Sequence, residues 1–371
     1  MEPGGVSRRS LLAGAAALPV GAALPSHARR PAVWPPTVTG AAPDQPLDTL
    51  FNAYSASGVG WTGADSTYSV ALPDGRIVWI FSDTFLGPVN ADGSRPTDAP
   101  FINNSFVVAD GEHLTTVHGG TADAPAALVA PDQGWYWAGA GNYSGGTLNV
   151  TYNQFVSTGS GAFAFKWSAC ALARFDPADF SLIDVTDLPS AVTNLESASW
   201  VQTVGAYTYI YRVEDLSDGK YLHVARVSGT DLRSRWHFWT GAGWSTDQTA
   251  SARVLAGVSN EYSVTPLGAG YVLVTQDTTE LLSAHIVAYF ATSPVGPFTN
   301  KTLLYTTPET GAAGSYGNGN IFTYNPHAHP ELSDAANLVV SYNVNSFDTD
   351  DVYADISVYR PRFVTVAFGG V

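Results

Sequence analysis

Acidic side chains recur at matching positions along this chain, and positioned carboxyl groups are common agents of acid and base chemistry. Asp65 and Asp83, eighteen residues apart, each end an apolar segment and so lie outside any charged run. Glu196 and Glu261 open two further segments rich in β-forming residues. Two carboxylates flanking an acetal can hydrolyse it, because one protonates the leaving oxygen while the other activates water or attacks the anomeric carbon.

These acids belong to a repeating unit of about 50 to 75 residues, a period typical of stacked or radial architectures. Each unit has an inner segment, a turn and then a strongly apolar strand; Pro73-Asp74-Gly75, for example, forms a strong hairpin signal. The five inner segments are 61–72, 135–140, 196–201, 261–267 and 327–332. The apolar strands that follow them are 76–85, 147–154, 207–215, 271–277 and 337–345.

The repeat predicts an all-β fold, a five-bladed β-propeller with a central substrate pocket. A two-sheet sandwich is the alternative, but it does not explain polar residues at the same point of successive units. Residues 359–366 are expected to form the last strand, with the ring closed by pairing near residues 49–60. The inner positions expected to converge are Asp65, Glu196, Glu261 and either Glu331 or His329, and those expected at the pocket rim are Asp83, Glu214, Asp277 and Asn345.

Aromatic and polar residues near these positions suit sugar binding, although core packing is an alternative for most of the aromatic ones. The predicted substrate-binding residues are Trp61, Trp137, Trp200, Tyr262, His329 and Asn343. His327 and His329 would share one face of a strand, but two histidines fall short of the usual ligand count, so no metal site is predicted. Residues 348–351 offer oxygen ligands without the glycine and distal glutamate of a calcium loop, so Ca²⁺ is possible but unsupported, and no cofactor is required.

Composition restricts the partners that the protein can have. The chain has 371 residues, with 17 basic against 32 acidic side chains and a net charge of −15, which argues against nucleic-acid binding. It contains 10 Trp, 18 Tyr, 17 Phe, 36 Gly and 23 Pro, a mixture that favours short strands and tight turns. Cys170 is the only cysteine, so no intrachain disulfide can form, and its apolar surroundings predict a buried thiol without chemistry. We expect a monomer that binds a polysaccharide or oligosaccharide.

The first residues have the pattern of an export signal. Arg8-Arg9 precedes an apolar stretch of about fourteen residues and a small-residue site ending at Ala28. The apolar stretch is shorter than the roughly twenty residues that span a bilayer. We therefore predict a twin-arginine-type signal peptide over residues 1–28 and a secreted or cell-surface protein with no membrane segment after cleavage. We predict that residues 29–48 form a linker or N-terminal arm and that residues 49–371 form a single propeller domain.

Several motifs resemble a known group. Thr62-Gly63-Ala64-Asp65, Phe81-Ser82-Asp83-Thr84-Phe85, Ala328-His329-Pro330-Glu331-Leu332, Val340-Ser341-Tyr342-Asn343 and Tyr359-Arg360-Pro361-Arg362-Phe363 are similar to segments of five-bladed propellers formerly of unknown function. Those propellers resemble the bacterial endo-D-arabinanases of glycoside hydrolase family one hundred and eighty-three. The resemblance implies a glycoside hydrolase that acts on an arabinofuranose-containing polysaccharide, with Asp65 and Asp83 as the corresponding carboxylates.

The expected function is therefore secreted glycoside hydrolysis by paired carboxylates, with Asp65, Asp83, Glu196 and Glu261 as catalytic candidates. Asp65 would be base or nucleophile, Asp83 would assist or orient, and Glu196 or Glu261 would donate the proton. A non-catalytic carbohydrate-binding propeller and a lyase on the same scaffold remain alternatives, because a fold does not fix a function.

Overall fold

The computed structural model describes residues 34–160 and 164–370, and the fold in these residues is built from strands joined by short turns. The predicted signal peptide lies outside the described residues. In the described part of the chain, no helix is long and apolar enough to cross a membrane.

The elements are numbered in chain order. The helices are α1 (Gln45–Ala56) and α2 (Thr349–Ala354), with short 3-10 helices at Gln248–Ala250 and Pro330–Leu332. The strands of the first third are β1 (Thr37–Pro43), β2 (Trp61–Ala64), β3 (Tyr68–Ala71), β4 (Ile77–Phe81), β5 (Thr84–Leu86), β6 (Phe101–Ile102), β7 (Ser105–Asp110), β8 (His113–Val117), β9 (Gly119–Thr121) and β10 (Ala124–Ala126). The next are β11 (Trp135–Ser144), β12 (Thr147–Ser157), β13 (Phe165–Phe175), β14 (Leu182–Asp187), β15 (Leu195–Val204), β16 (Tyr207–Leu216), β17 (Gly219–Ser228), β18 (His237–Trp239), β19 (Trp244–Ser245) and β20 (Leu255–Ala256). The last are β21 (Ser263–Leu267), β22 (Gly270–Gln276), β23 (His285–Ala291), β24 (Thr299–Thr306), β25 (Ile321–Ala328), β26 (Asn337–Ser346) and β27 (Pro361–Gly369).

Five of the sheets share one plan, in which neighbouring strands pair antiparallel and most neighbours are also consecutive in the chain. The sheets run β3-β4-β7-β8, β11-β12-β13-β14, β15-β16-β17-β18-β19, β21-β22-β23-β24 and β25-β26-β27-β1, and we call them sheets one to five. β20 also pairs with β17, and the smaller sheets are β2-β5-β6 and β9-β10. The predicted all-β class is confirmed, whereas five blades around a central pocket remain a prediction.

The first strands of these sheets pack against one another in order: β3 against β11, β11 against β15, β15 against β21, and β21 against β25. The last and first sheets also meet, since the rings of Tyr68 on β3 and His327 on β25 lie 4.0 Å apart between centroids. Buried apolar side chains fill the spaces between neighbouring sheets, with Phe106, Leu172, Val224 and Val274 among those without measurable exposure. The starts of the first strands are thereby brought together.

The hairpin between β3 and β4 follows the predicted pattern. Gly75 in the Pro73-Asp74-Gly75 turn has a φ of 95°, a left-handed value that glycine adopts without a steric penalty. Tyr68 pairs with Ile80, which fixes the register of the strands that precede and follow the turn. This register places Asp65 near Asp83.

Ring closure differs from the sequence-based expectation. Residues 45–56 form helix α1, because Asp44 caps its first turn and Leu47, Leu50, Phe51 and Tyr54 recur at helical spacing. The strand that pairs with β27 is instead β1, inside the segment 29–48 that we predicted to be a linker or arm. The predicted pairing near residues 49–60 is therefore wrong.

The fifth inner segment also differs, since its strand is β25, earlier than the predicted range 327–332. Pro330 lacks the N–H that a strand ladder requires, and a 3-10 turn forms from Pro330 to Leu332.

Candidate active site

Asp65 lies in the short turn between β2 and β3, and its carboxylate is held by two phenols. Its Oδ2 accepts hydrogen bonds from the hydroxyls of Tyr324 at 2.8 Å and Tyr359 at 3.0 Å. The next two residues, Ser66 and Thr67, have φ values of 72° and 50°, which non-glycine residues rarely adopt. Such strain persists only where the surrounding structure enforces it, and it is concentrated at functional sites.

Asn343 helps to enforce this turn. Its Nδ2 donates to the Thr67 hydroxyl at 2.8 Å and to the Ala64 carbonyl at 3.2 Å. We predicted that Asn343 binds substrate, but the side chain is fully buried and fixes the conformation of the Asp65 turn.

Asp83 follows β4 and is tied directly to Asp65 through the backbone. The Asp65 N–H donates to the Asp83 carbonyl at 3.3 Å, and the Ser82 N–H donates to the Asp65 carbonyl at 3.2 Å. The Asp83 side chain accepts hydrogen bonds at Oδ1 from Asn103 Nδ2 at 2.9 Å and from the Trp137 indole N–H at 2.8 Å. The two aspartates predicted from their spacing are therefore neighbours in the structure.

Glu261, just before β21, joins this pair through Ser66. Its Oε1 lies 2.9 Å from the Ser66 hydroxyl and accepts a hydrogen bond from Asn325 Nδ2 at 3.0 Å. Its Oε2 is 3.2 Å from His327 Nε2, but the two atoms lack hydrogen-bond geometry. The side chain keeps 19% of its surface exposed, although Oε2 itself is buried.

Glu196 lies at the start of β15 and is more enclosed, with 4% exposure. Its Oε2 accepts a hydrogen bond from Asn153 Nδ2 at 3.2 Å. The charges of Asp215 and Lys220 act on Glu196, and the Lys220 ammonium donates to Asp215 Oδ2 at 2.9 Å. Glu196 is therefore held between the second and third sheets.

Burial raises the pKa of all four carboxyl groups, because it disfavours their charged forms. Burial, followed by the charge of Glu261, raises the pKa of Asp65 to about 7, and burial followed by Asp65 raises the pKa of Asp83 to about 7. Burial raises the pKa of Glu261 to about 8, and burial followed by the charge of Asp215 raises the pKa of Glu196 to about 8. At neutral pH the cluster thus contains both protonated and ionised carboxyls, as combined acid and base chemistry requires.

Four of the predicted sugar contacts, Trp61, Trp200, Tyr262 and His329, are buried. Trp61 is fully buried beside Phe51, and the Tyr262 hydroxyl donates to the Arg212 carbonyl at 2.8 Å in the core. Neither ring can stack on a substrate in this arrangement. Trp137, in contrast, is partly exposed and hydrogen-bonds Asp83.

Trp200 lies within β15, and His329 directly follows the end of β25. Trp200 is 4% exposed and stacks on His327 with 6.3 Å between ring centroids. His329 is fully buried, and its two nitrogens contact the hydroxyls of Ser69 at 2.5 Å and Ser341 at 2.8 Å.

Glu331, which was the alternative to His329 as a converging residue, hydrogen-bonds Ser69 and lines a cavity of about 400 Å³ together with Trp200. This cavity is lined by all of β3 and by later residues of β11 and β15, whereas Asp65, Glu196 and Glu261 lie at the starts of their strands and Asp83 follows β4. Glu331 therefore belongs to a different part of the fold.

The residues predicted to line the pocket rim differ in the groups that they contact. Asn345 donates to the Tyr324 hydroxyl at 3.2 Å and so supports the Asp65 site. Glu214 pairs instead with Arg253 at 2.6 Å, and Asp277 pairs with Lys301 at 2.7 Å. The last two acids are satisfied ion pairs.

Possible metal ligands are few. In residues 34–160 and 164–370, no group of three or more His, Cys, Asp and Glu side chains is arranged to hold a metal. Within residues 348–351, Asp348 caps α2 through the Asp350 N–H at 3.0 Å, and Asp351 accepts from Asn318 at 2.8 Å. These acids have local structural partners.

Sequence reasoning missed the groups that orient the carboxyls: Tyr324, Tyr359, Asn103, Asn153, Asn325 and Ser66. Tyrosine and asparagine are common in strands and turns, and these residues come from different sheets. The motif Tyr359-Arg360-Pro361 was noted as the start of a strand and as part of the family resemblance, without a role for Tyr359, and the φ of 78° at Tyr359 was not evident from sequence.

Solved structures share this fold at low sequence identity. A candidate hydrolase from Bacteroides ovatus ATCC 8483 is 22% identical with a TM-score of 0.75, and the match covers 88% of this chain and 90% of that one. An α-L-arabinofuranosidase from Podospora anserina, in complex with cellotriose, is 12% identical with a TM-score of 0.50, and the match covers 85% of this chain and 93% of that one. A levansucrase variant from Bacillus subtilis is 13% identical with a TM-score of 0.50, and the match covers 88% of this chain and 90% of that one.

No curated protein sequence matches the chain. A family model does match it over residues 48–368, a range that contains all four carboxyl candidates. The chain therefore belongs to the family described as Domain of unknown function (DUF5005).

Proposed function

We propose that this protein is a glycoside hydrolase that cleaves an arabinofuranose-containing polysaccharide with Asp65 and Asp83 as central catalytic residues. One observation carries the proposal. Asp65, in a strained turn, is joined to Asp83 by backbone hydrogen bonds, and burial raises the pKa of both carboxyls to about 7. Carboxyl pairs with shifted pKa values are the general means by which one site supplies both an acid and a base near neutrality.

Each carboxyl has a role that fits its surroundings. Asp65, ionised and held by two phenols, acts on the anomeric carbon directly or through water. Glu261 donates the proton to the glycosidic oxygen, because burial raises its pKa to about 8 while its side chain keeps 19% of its surface exposed. Asp83 orients the site through its contacts with Asn103 and Trp137. Glu196, less exposed than Glu261, is the second candidate for proton donor.

The scaffold that we propose is a five-bladed propeller with a central substrate pocket. Its support comes from the five sheets with a common strand order and from the successive packing of their first strands. The contact between Tyr68 and His327 joins the last sheet to the first. In this arrangement Asp65, Glu196 and Glu261 lie at the starts of inner strands, and Asp83, after the end of β4, joins them at one mouth of the ring.

The substrate class rests on two likenesses. Motifs around Asp65 and Asp83 resemble those of bacterial endo-D-arabinanases, and a structure of similar fold is an α-L-arabinofuranosidase. We further propose that the protein is exported by a twin-arginine-type signal and acts outside the cell as a monomer, without a required cofactor.

The test is a cleavage and binding screen of the purified mature protein. It is incubated with arabinan, arabinogalactan and mycobacterial arabinan-containing glycans, and new reducing ends are measured. Reducing ends from an arabinofuranose polymer support the proposal. Binding without new ends would instead establish a carbohydrate-binding protein, and unsaturated products would establish a lyase.

A further inference from the structure

Five aromatic side chains of the second sheet form a cluster beside Asp83, which we call the aromatic wall. Its members are Trp135, Trp137, Phe155, Phe165 and Trp167. Trp137 is central, with its ring centroid 4.5 Å from that of Phe155 and 5.0 Å from that of Phe165. Trp135 lies 5.8 Å from Trp137 and 6.0 Å from Phe165.

Strand register explains why these rings share one face. Trp135 pairs with Phe155 across β11 and β12, and Phe155 pairs with Trp167 across β12 and β13. Directly paired residues in an antiparallel sheet project to the same side. By the same register Asn153, opposite Trp137, belongs to this face.

The wall connects two of the candidate carboxyls. Trp137 donates its indole N–H to Asp83 at 2.8 Å, while Asn153 donates to Glu196 at 3.2 Å. The wall face therefore runs from the Asp83 side of the site towards the third sheet. A ligand at the carboxyls would continue along it.

Core packing alone does not account for the wall. Trp135, Trp137, Phe165 and Trp167 remain partly exposed, whereas Tyr136 and Tyr152, on the other face of the same strands, are buried. Apolar rings left open beside a polar catalytic cluster are suited to the C–H faces of sugar rings, which combine apolar faces with polar edges.

A second aromatic cluster provides a contrast. Trp239 and Trp244 on the third sheet lie 5.2 Å apart, but the Arg226 guanidinium covers the Trp244 ring at 4.0 Å from its centroid. Trp244 contacts none of the four carboxyl candidates through a hydrogen bond in the described residues. It is a matched aromatic control.

We propose that the aromatic wall is a sugar-binding subsite that holds a polysaccharide chain over the second sheet, next to the bond cleaved at Asp65 and Asp83. This inference rests on the proposed function for the position of cleavage, and it specifies that the substrate is a polymer with sugar units beyond the cleavage point. Trp137 then has two roles, since it both orients Asp83 and forms part of the subsite.

The test measures binding separately from cleavage. In an Asp65→Asn background, which is expected to be inactive, affinity electrophoresis is run in gels containing arabinan or arabinogalactan. Trp135→Ala and Phe165→Ala are each expected to weaken polymer binding about tenfold, the effect of losing roughly 1.4 kcal/mol of ring contact. Trp135→Phe should restore most of the binding, and Trp244→Ala should bind like the parent.

The outcomes distinguish the two proposals. If both wall variants bind every glycan as tightly as the parent and Trp244→Ala do, the subsite is refuted, whether or not the enzyme cleaves. If binding depends on the wall but the native protein cleaves no glycan, the subsite stands and the hydrolase proposal fails. Melting curves of each variant verify folding, and Phe165→Ala, at the start of β13, remains informative if Trp135→Ala does not fold.

Discussion

Removal of one phenol from Asp65 is expected to shift the pH dependence of the enzyme in a defined direction. Tyr324 and Tyr359 both donate to Asp65 Oδ2, and these hydrogen bonds favour the ionised carboxylate and so lower its pKa. Burial is the larger influence, and the net pKa is raised to about 7. Tyr359→Phe removes one donor while keeping the ring in place, and the pKa of Asp65 should therefore rise further.

The size of the shift follows from the energy of the bond. A hydrogen bond to a charged group contributes roughly 1.5–3 kcal/mol, and one pKa unit corresponds to about 1.4 kcal/mol. The acidic limb of the kcat/KM profile reports the ionisation of an essential base in the free enzyme. In Tyr359→Phe this limb should move up by about one pH unit or slightly more, with activity at high pH largely retained.

The assay is the release of reducing ends from the polysaccharide at a series of pH values between 4 and 9, at substrate concentrations below KM. Tyr211→Phe is the control, because the Tyr211 hydroxyl is buried and donates to the Pro294 carbonyl at 2.9 Å, away from the acids. Its profile should match that of the native enzyme. If the acidic limb of Tyr359→Phe also coincides with the native limb, Asp65 is not the essential base.

Two further predictions follow from the other carboxyls. Glu261→Gln should reduce polysaccharide cleavage by a factor of about 10² to 10⁴. It should largely spare the hydrolysis of an aryl arabinofuranoside, because that leaving group needs no proton. Equal losses on both substrates, or a loss of activity only in Glu196→Gln, would reject Glu261 as the proton donor. Burial raises the pKa of Asp83 in the folded protein to about 7, above its unfolded pKa near 4. The protonated side chain therefore makes its full contribution to stability below pH 4, and this contribution is lost as the pH rises through 7. At pH 8, Asp83→Asn should therefore be more stable than the native protein by roughly 2 kcal/mol, or a few degrees in Tm. This is about half of what the full pKa shift would give, because the shift is shared with Asp65. At pH 4 the difference in stability should vanish. Thermal melts at the two pH values check the sign, and a native protein that is the more stable at pH 8 would contradict it.

The sequence predicted those features that depend on local pattern. The hairpin signal at Pro73-Asp74-Gly75 is confirmed, and the register of the strands on both sides of it joins Asp65 to Asp83 through their backbones. The regular return of β-rich segments likewise predicted an all-β fold. Both are properties of short stretches of chain, where periodicity and turn chemistry dominate.

Long-range features were harder to predict. Tyr324 and Tyr359 reach Asp65 from the far end of the chain, and no local pattern assigns either hydroxyl to the Asp65 site. Trp61 was predicted to bind sugar because an aromatic residue beside a catalytic acid suits either role, but helix α1 covers it with Phe51. Ring closure by β1 was missed because a short, exposed edge strand has a weak sequence pattern.

The most direct test of the account compares the native protein with Asp65→Asn, Asp83→Asn and Asp74→Asn in one reducing-end assay on the arabinofuranose polymer that the native protein cleaves. Asp74 is exposed and pairs only with Arg76 in the described side chains, so its variant should retain native activity. We expect Asp65→Asn to abolish cleavage and Asp83→Asn to reduce it at least a hundredfold, with both proteins folded as judged by their melting temperatures. Native rates in folded Asp65→Asn and Asp83→Asn would contradict the account.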